Sequence, residues 1–288
     1  MTNITLAPVQ PDQPSHLMAT YGRQAISFVR GRGAYLYTAD GTEYLDALTG
    51  IAVCGLGHAH PVVAEAIAEQ AATLVHTSNL FEIPWQTAAA QKLAQVSGME
   101  EIFFSNSGAE SNEGAIKIAR KFGFQQGISN PKIIVAEQSF HGRTLATLSA
   151  TGNKKVQEGF APLVEGFIRV PFGDVEAIQE AAINNPDIVA ILIEPIQGEG
   201  GFIVPPKGFL PGLSKYCSEN GIIFIADEVQ TGFARTGNMF AVENENVVPD
   251  MIITAKGIAG GMPLAAVTGR AEIMDAPAPG GLGGTYGG

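Results

Sequence analysis

The sequence predicts an α/β fold, a mostly parallel sheet with helices on both faces, and two patterns support it. From Pro61 onward, long helical stretches separate five short apolar runs: EIFFS, KIIVA, DIVAILIE, GIIFIAD and DMIITA. Such runs, tens of residues apart, are typical of buried parallel strands joined by crossover helices. Before them, residues 28–46 alternate aromatic and polar side chains around Asp40-Gly41, which predicts a small antiparallel hairpin. We therefore expect an N-terminal segment over 1–60 and a large domain over 61–288.

The composition favours a function in small-molecule chemistry. The chain has 288 residues and a formal net charge of -11, which disfavours binding to nucleic acid or to an anionic membrane surface. Its first residues have neither a basic start nor an apolar stretch of signal-peptide type. Cys54 and Cys217 lie far apart and outside any C-x-x-C spacing, which indicates a reducing compartment without disulfides or a zinc site. We expect a cytosolic protein.

Ligands of open α/β sheets bind beyond the carboxyl ends of the strands, so the residues that follow each apolar run are candidate site residues. They are Asn106, Ser107, Gly108 and Ala109 after the first run, Phe140, His141, Gly142 and Arg143 after the second, then Glu194, Asp227 and Lys256.

The Ser107 turn precedes a helix that we expect over residues 110–122, with acidic residues in its first turn and basic residues in its last. Free N–H groups and a hydroxyl at a helix N-terminus suit a phosphate monoester. The alternative is an ordinary helix cap. The chain has no G-x-x-x-x-G-K-[ST] loop and no strand-linked G-x-G-x-x-G, so the usual fingerprints of nucleotide triphosphates and dinucleotides are missing.

Asp227 and Lys256 each end an apolar run, where a charge requires a partner. A protonated pyridine nitrogen would suit Asp227, and the alternative is an arginine such as Arg235. Lys256 precedes a glycine-rich loop, where backbone can approach a ligand closely. In a pocket its pKa would fall and its amine would become nucleophilic, whereas most lysines are simply solvated.

Two further groups of residues have competing interpretations. Phe140 offers an aromatic face for a planar ring and Arg143 a guanidinium for a carboxylate, although an aromatic beside a turn usually only packs. His58 and His60 could suggest a metal, but Pro61 resembles the first residue of a helix, and no carboxylate or thiol accompanies the pair at ligand spacing. We expect no metal.

Five segments resemble, in order and approximate spacing, the class III (fold type I) pyridoxal-phosphate-dependent aminotransferases over nearly the whole chain: SNSGAESNEGAIKIAR, SFHGRT, EPIQGEGG, IADEVQTGFARTG and AKGIAGGMP. The resemblance implies the large domain of that fold. It also implies pyridoxal 5'-phosphate as cofactor, carried by Lys256 as a Schiff base. The other cofactor contacts that it implies are Ser107, Gly108 and Ala109 to the phosphate, Phe140 to the ring face, Asp227 to the ring nitrogen and Gln230 to the ring hydroxyl.

The resemblance extends to substrate and assembly. It implies that Arg143 binds a substrate carboxylate, and that Glu199 pairs with an arginine to open or close the pocket for 2-oxoglutarate. Thr285 would reach the cofactor phosphate of the neighbouring subunit, which implies a homodimer. Members of this family continue past the GGTYGG segment into a small C-terminal domain that supplies the arginine partner of Glu199. Because this sequence stops at Gly288, we expect that domain to be missing and an apolar surface to be exposed.

Two parts of the chain resemble different members of the family. From MATYGRQAISFVRG through SFHGRT it resembles the acetylornithine aminotransferases of arginine biosynthesis. The final stretch, from AGGMP to the end, is more similar to 4-aminobutyrate aminotransferases, with Gly284 where the acetylornithine enzymes usually carry a serine. We expect transfer of the amino group of N-acetylornithine, or of ornithine, to 2-oxoglutarate, giving the semialdehyde and glutamate. The alternatives are a 4-aminobutyrate aminotransferase, a racemase or aminomutase, and an inactive fragment that retains the cofactor-binding scaffold.

Overall fold

The N-terminal part of the chain forms a small antiparallel sheet. The computed structural model describes residues 16–288. Strands β1 (Phe28–Arg32), β2 (Tyr35–Thr38) and β3 (Glu43–Leu45) pair in that order. Gly41, at a φ of 88° that favours glycine, turns the chain between β2 and β3, and its N–H donates to the Thr38 carbonyl at 3.0 Å. The expected antiparallel element is confirmed, with three strands in place of one hairpin.

A seven-stranded sheet forms the centre of the molecule. Its strands run in the order β4-β10-β9-β8-β7-β5-β6, and all are parallel except β10, which is antiparallel to both of its neighbours. All five apolar runs form strands of this sheet, as expected. The strands are β4 (Glu101–Ser105), β5 (Lys132–Ala136), β6 (Phe167–Val170), β7 (Ile188–Ile193), β8 (Ile223–Asp227), β9 (Met251–Thr254) and β10 (Ala265–Gly269).

Helices cover both faces of this sheet, which confirms the predicted layers. Among the described residues they are α1 (Thr49–Ala52), α2 (Pro61–Thr73), α3 (Pro84–Ser97), α4 (Gly108–Gln125), α5 (Leu145–Ala150), α6 (Lys154–Gln157), α7 (Val175–Ile183), α8 (Phe209–Asn220) and α9 (Ala271–Met274), with 3-10 turns at Ala241–Glu245 and Lys256–Ala259. Helices α4 and α9 pack on one face, and α3, α7 and α8 on the other. Pro61 is the first residue of α2 and His60 its N-cap, so the predicted turn and cap are also confirmed.

Alternation along the central strands explains why they read as continuous apolar runs. In β7, Ala190 and Leu192 face the α4 side, whereas Ile191 and Ile193 face the α8 side, and all four are buried. A strand buried on both faces needs apolar residues at every position. Each fully buried leucine or isoleucine contributes about 1.5–3 kcal/mol of transfer free energy, which makes this sheet a rigid base for the loops above it. Within residues 16–288, no helix is both long and apolar enough to cross a membrane.

Candidate functional site

Nine of the predicted site residues line one cavity of about 460 Å³. The cavity lies among the loops that follow the parallel strands. They are Ser107, Gly108, Ala109, Phe140, Arg143, Glu199, Asp227, Gln230 and Lys256. Val53 completes the wall from the N-terminal segment, and residues 261–264 close it from the loop before β10. The structure therefore brings together side chains that are up to about half the chain apart in sequence.

The Ser107 turn lies at the start of α4. This helix begins at Gly108, two residues before the start expected from the sequence. Ser107 is the N-cap, and its hydroxyl accepts the Glu110 N–H at 3.3 Å. The Glu110 carboxylate in turn accepts the Asn106 N–H at 2.6 Å, which fixes the entry to the helix. Among residues 16–288, the N–H groups of Gly108 and Ala109 have no hydrogen-bond partner. Two free N–H groups at the positive end of an 18-residue helix form a site for an anion.

Asp227 ends β8 and is only 3% exposed, yet its carboxylate is well satisfied. His141 Nδ1 lies 2.7 Å from Oδ2, and because a carboxylate only accepts, this nitrogen carries the hydrogen. Asn112 Nδ2 donates to the same oxygen at 3.1 Å, and the Val229 N–H donates to Oδ1 at 3.1 Å. These groups are the hydrogen-bond partners of Asp227 within the described chain, so the alternative pairing with Arg235 is not found.

Glu194 is a second buried carboxylate in the cavity wall. Its oxygens accept the Phe140 N–H at 2.9 Å and the Gly198 N–H at 3.0 Å. Burial raises its pKa to about 6, and the nearby charge of Asp227 adds to this, whereas His141 and the two N–H donors oppose it. The sequence indicated its position after β7 but not this perturbation, which depends on burial.

Lys256 opens the 3-10 turn after β9 and has a left-handed φ of 51°, which is unusual for a residue other than glycine. It is partly buried, and its amine has no hydrogen-bond partner within residues 16–288. Burial lowers the pKa of this amine from its ordinary value, although the carboxylates of Asp227, Glu199 and Glu194 act in the opposite direction. A lowered pKa increases the neutral, nucleophilic fraction of the amine.

The remaining wall residues are placed by close packing. A Cβ on Gly198 would lie 1.9 Å from Gln230 Oε1, so only glycine at that position leaves room for the Gln230 side chain. The Arg143 guanidinium lies 5.6 Å from the centre of the Phe140 ring, within the range of a cation–π contact. Phe140 thus offers one ring face to Arg143, and both residues line the cavity.

Thr285 and Gly284 are not part of this cavity. They border a separate hollow beside α4, together with Glu113 and Lys117. The segment that carries them is held against β4, where the Phe104 N–H donates to the Gly288 carbonyl at 2.8 Å. The roles of Thr285 and Gly284 therefore remain predictions, because neither residue lines the cavity of its own chain.

Two residues of the site were given no role from the sequence. His141 was identified only by its position after β5, and Asn112 was not singled out because it lies inside a helix. Both are buried, at 2% and 1% exposure. The neighbours of both residues in the sequence include polar and charged side chains, so nothing local distinguishes them, and their partner Asp227 is more than eighty residues away.

Comparison with known proteins identifies the family. A family model described as aminotransferase class-III matches residues 18–288. This chain belongs to the class-III aminotransferase family. The acetylornithine aminotransferase of Nitrosomonas europaea is 51% identical over 274 residues, which are 95% of this chain and 70% of that protein. The acetylornithine aminotransferase of Gloeobacter violaceus is 48% identical over 281 residues, or 97% of this chain and 70% of that protein.

Solved structures of two aminotransferases have the same fold. The ornithine aminotransferase of Toxoplasma gondii matches with a TM-score of 0.91 and 34% identity, over 94% of this chain and 65% of that one. The acetylornithine aminotransferase of Elizabethkingia anophelis matches with a TM-score of 0.83 and 36% identity, over 94% of this chain and 66% of that one. This aminotransferase chain thus spans slightly less than two thirds of the solved chains that it matches.

Class-III aminotransferases depend on pyridoxal phosphate, and the cavity of this aminotransferase fits that group. The free N–H groups of Gly108 and Ala109 suit the phosphate, and the unpartnered Lys256 amine suits the aldehyde. Two buried polar atoms in the cavity wall, Asn112 Oδ1 and His141 Nε2, also have no protein partner among residues 16–288. Polar atoms left unpaired in a wall are expected where a polar ligand or water belongs.

Proposed function

We propose that this chain transfers the amino group of N-acetylornithine, or of ornithine, to 2-oxoglutarate, with pyridoxal 5'-phosphate held in the described cavity. The observation that carries the proposal is the convergence of Lys256, Asp227 and the Ser107 turn on one cavity. The acetylornithine and ornithine aminotransferases among the relatives support the choice of donor.

We assign the cofactor contacts as follows. The N-terminus of α4 would hold the phosphate, where the Ser107 hydroxyl and two N–H groups would donate to it. The Phe140 ring would pack on the pyridine, and the Gln230 side chain would contact the ring hydroxyl. The Asp227 carboxylate would accept a hydrogen bond from the protonated ring nitrogen. When bound, pyridoxal phosphate supplies an aldehyde that condenses with amines and a ring that accepts electron density.

The protein's own groups then bind and move protons. Lys256 would hold the cofactor covalently, and its amine, when free, would accept the proton of the carbon that bears the donor's amino group. Asp227 keeps the ring nitrogen protonated through this step, because a carboxylate beside a cation favours the charged form. Arg143 binds a substrate carboxylate, and Glu199 governs the second carboxylate site. The two half-reactions predict ping-pong kinetics.

The test follows one half-reaction. The purified chain is mixed with pyridoxal phosphate, the excess is removed, and the visible absorption of the lysine-bound cofactor is followed as N-acetylornithine, ornithine or 4-aminobutyrate is added without acceptor. We expect loss of the band with N-acetylornithine or ornithine, and restoration of the band by 2-oxoglutarate. Lys256→Ala should abolish the band, whereas Lys207→Ala, on the exposed surface, should not change it.

The other outcomes are distinct. Loss of the band with 4-aminobutyrate alone would replace the proposed donor by the 4-aminobutyrate alternative. Retention of the band while the added amino acid is racemised or rearranged would favour a racemase or aminomutase. Failure of the chain to retain cofactor would overturn the proposal and leave a scaffold without catalysis.

We further propose that the chain acts as a homodimer. Large apolar side chains are exposed over and after α2: Val62, Val75, Leu80, Phe81 and Trp85 are each at least 66% exposed. A second copy of the chain would cover such a surface. The placement of Thr285 outside its own cavity is consistent with a role in the partner's site. Sedimentation of the purified chain tests this, and a monomer at micromolar concentration would contradict it.

We also propose a cytosolic location and a division of the chain into two parts. The two cysteines are free, which favours a cytosolic location. The division into an N-terminal segment over 1–60 and a cofactor-binding domain over 61–288 is part of the same proposal. The substrates are small amino and keto acids, and neither nucleic acid nor membrane is a partner.

A further inference from the structure

Asn112 connects two parts of the cavity that lie on different elements. One hydrogen of its Nδ2 group is donated to the Gly108 carbonyl at 3.0 Å, in the first turn of α4. The other is donated to Asp227 Oδ2 at 3.1 Å, at the end of β8. A primary amide has two N–H donors, and both are used here.

The two groups that Asn112 joins are those assigned to opposite ends of the cofactor. Gly108 belongs to the turn that receives the phosphate, and Asp227 is the partner of the ring nitrogen. His141 also binds Asp227, but it follows β5 and makes no hydrogen bond to the phosphate turn. Among the described residues, Asn112 is therefore the side chain that hydrogen-bonds to both ends.

Burial of this amide costs free energy that an apolar residue would avoid. Asn112 is 1% exposed, and its Oδ1 is buried without a protein partner. An unpaired buried acceptor is destabilising, whereas leucine has nearly the same shape and no polar atom. A position that keeps such a group in the wall of a ligand cavity is expected to serve the ligand.

We propose that Asn112 is a positioning residue that sets the distance and orientation of the Asp227 carboxylate relative to the phosphate turn. Because pyridoxal phosphate is a short and rigid ligand, its phosphate and ring nitrogen engage both sites only when the two are correctly separated. Asn112 does not touch the reacting atoms. The inference rests on the proposed cofactor site, and it concerns affinity and recognition of the ring nitrogen.

The test measures whether the chain distinguishes pyridoxal phosphate from the analogue in which a C–H group replaces the ring nitrogen. Wild-type chain should bind pyridoxal phosphate more tightly than this analogue, because only the former can pair with Asp227. Asn112→Leu removes both hydrogen bonds and keeps the branching of the side chain, although leucine is larger. We expect it to weaken pyridoxal phosphate binding about tenfold, the effect of one hydrogen bond to a charged group, and to leave analogue binding almost unchanged.

Two further variants separate positioning from general damage. Asn112→Ser retains a hydroxyl that can bond the Gly108 carbonyl but is too short to reach Asp227, so it should fold and still lose discrimination. Ser111→Ala is the matched control, since Ser111 is also buried on α4 and loses one hydrogen bond, at 2.7 Å to Ser105, that does not involve Asp227. It should keep full discrimination even if its stability falls.

A spectroscopic measurement completes the test. In wild-type chain, the NMR resonance of the isotopically labelled ring nitrogen should report a protonated nitrogen, and in Asn112→Leu it should move toward the unprotonated position. If Asn112→Leu and Asn112→Ser keep both the discrimination and the wild-type resonance, the inference is wrong and the proposed function stands. If wild-type chain binds both ligands equally or not at all, the proposed cofactor site fails first, and the inference fails with it.

Discussion

Replacement of Ser107 by alanine distinguishes the contribution of this residue to the helix cap from its contribution to phosphate binding. As the N-cap of α4, Ser107 accepts the Glu110 N–H at 3.3 Å, beyond the usual range for a strong hydrogen bond. Loss of an N-cap side chain costs between about 0.5 and 2 kcal/mol, and a long bond places Ser107→Ala near about 0.5 kcal/mol. The stability of the chain should therefore change little.

Cofactor affinity should change much more. The Ser107 hydroxyl is proposed to donate to a charged phosphate, and such a hydrogen bond is worth about 1.5–3 kcal/mol. Ser107→Ala should therefore weaken the binding of pyridoxal phosphate about 10- to 100-fold. Pyridoxal, which lacks the phosphate, should bind variant and wild-type chain equally.

Asp174→Ala is a matched control. Asp174 is the N-cap of α7 and accepts the Ala177 N–H at 2.9 Å, in a helix that does not line the cavity. It should lose about 1 kcal/mol of stability in urea unfolding but no cofactor affinity in calorimetric titration. The reasoning is refuted if both variants lose affinity equally, or if Ser107→Ala weakens pyridoxal as much as pyridoxal phosphate.

Three other predictions follow from burial. Glu194 binds its proton more tightly in the folded chain, because burial raises its pKa from 4.5 to about 6. The free energy of unfolding should therefore fall by about 2 kcal/mol as the pH rises through that window. In urea unfolding, the stability of Glu194→Gln should lack this dependence on pH. The same pH profile in the variant and in wild-type chain would contradict the prediction. Phe224→Ala, at a fully buried position, should cost about 3–5 kcal/mol in the same assay, and a loss below about 1 kcal/mol would count against the described core. Iodoacetamide should modify Cys54 in the folded chain and spare Cys217, because Cys217 is 1% exposed and burial raises the pKa of its thiol. Equal rates of modification would contradict the burial of Cys217.

The strands that the sequence predicted are those that contain a run of large apolar residues. Strand β7 is recognisable because both of its faces contact helices, which requires apolar residues throughout. Strand β10, AAVTG, is equally buried, but its small and polar residues carry no such signal. Strand β6, FIRV, is short and includes Arg169. Both were missed because their pairing, not their composition, makes them strands.

The candidate site shows the same division. Ser107, Asp227 and Lys256 could be proposed because each follows an apolar run, and the ends of parallel strands meet at one edge of a sheet. The contribution of Asn112 could not be proposed from the sequence, because its partner Asp227 is 115 residues away. Helical spacing alone does not show which polar residue faces inward. The raised pKa of Glu194 likewise depends on the enclosure of the cavity.

Covalent trapping shows whether Lys256 carries the cofactor, as we propose. The full chain is mixed with pyridoxal phosphate, reduced with borohydride, digested, and examined by mass spectrometry for the phosphopyridoxyl lysine. We expect modification at Lys256, at one equivalent per chain, with the exposed Lys154 and Lys207 unmodified. Modification spread over surface lysines, or confined to a residue other than Lys256, would contradict it.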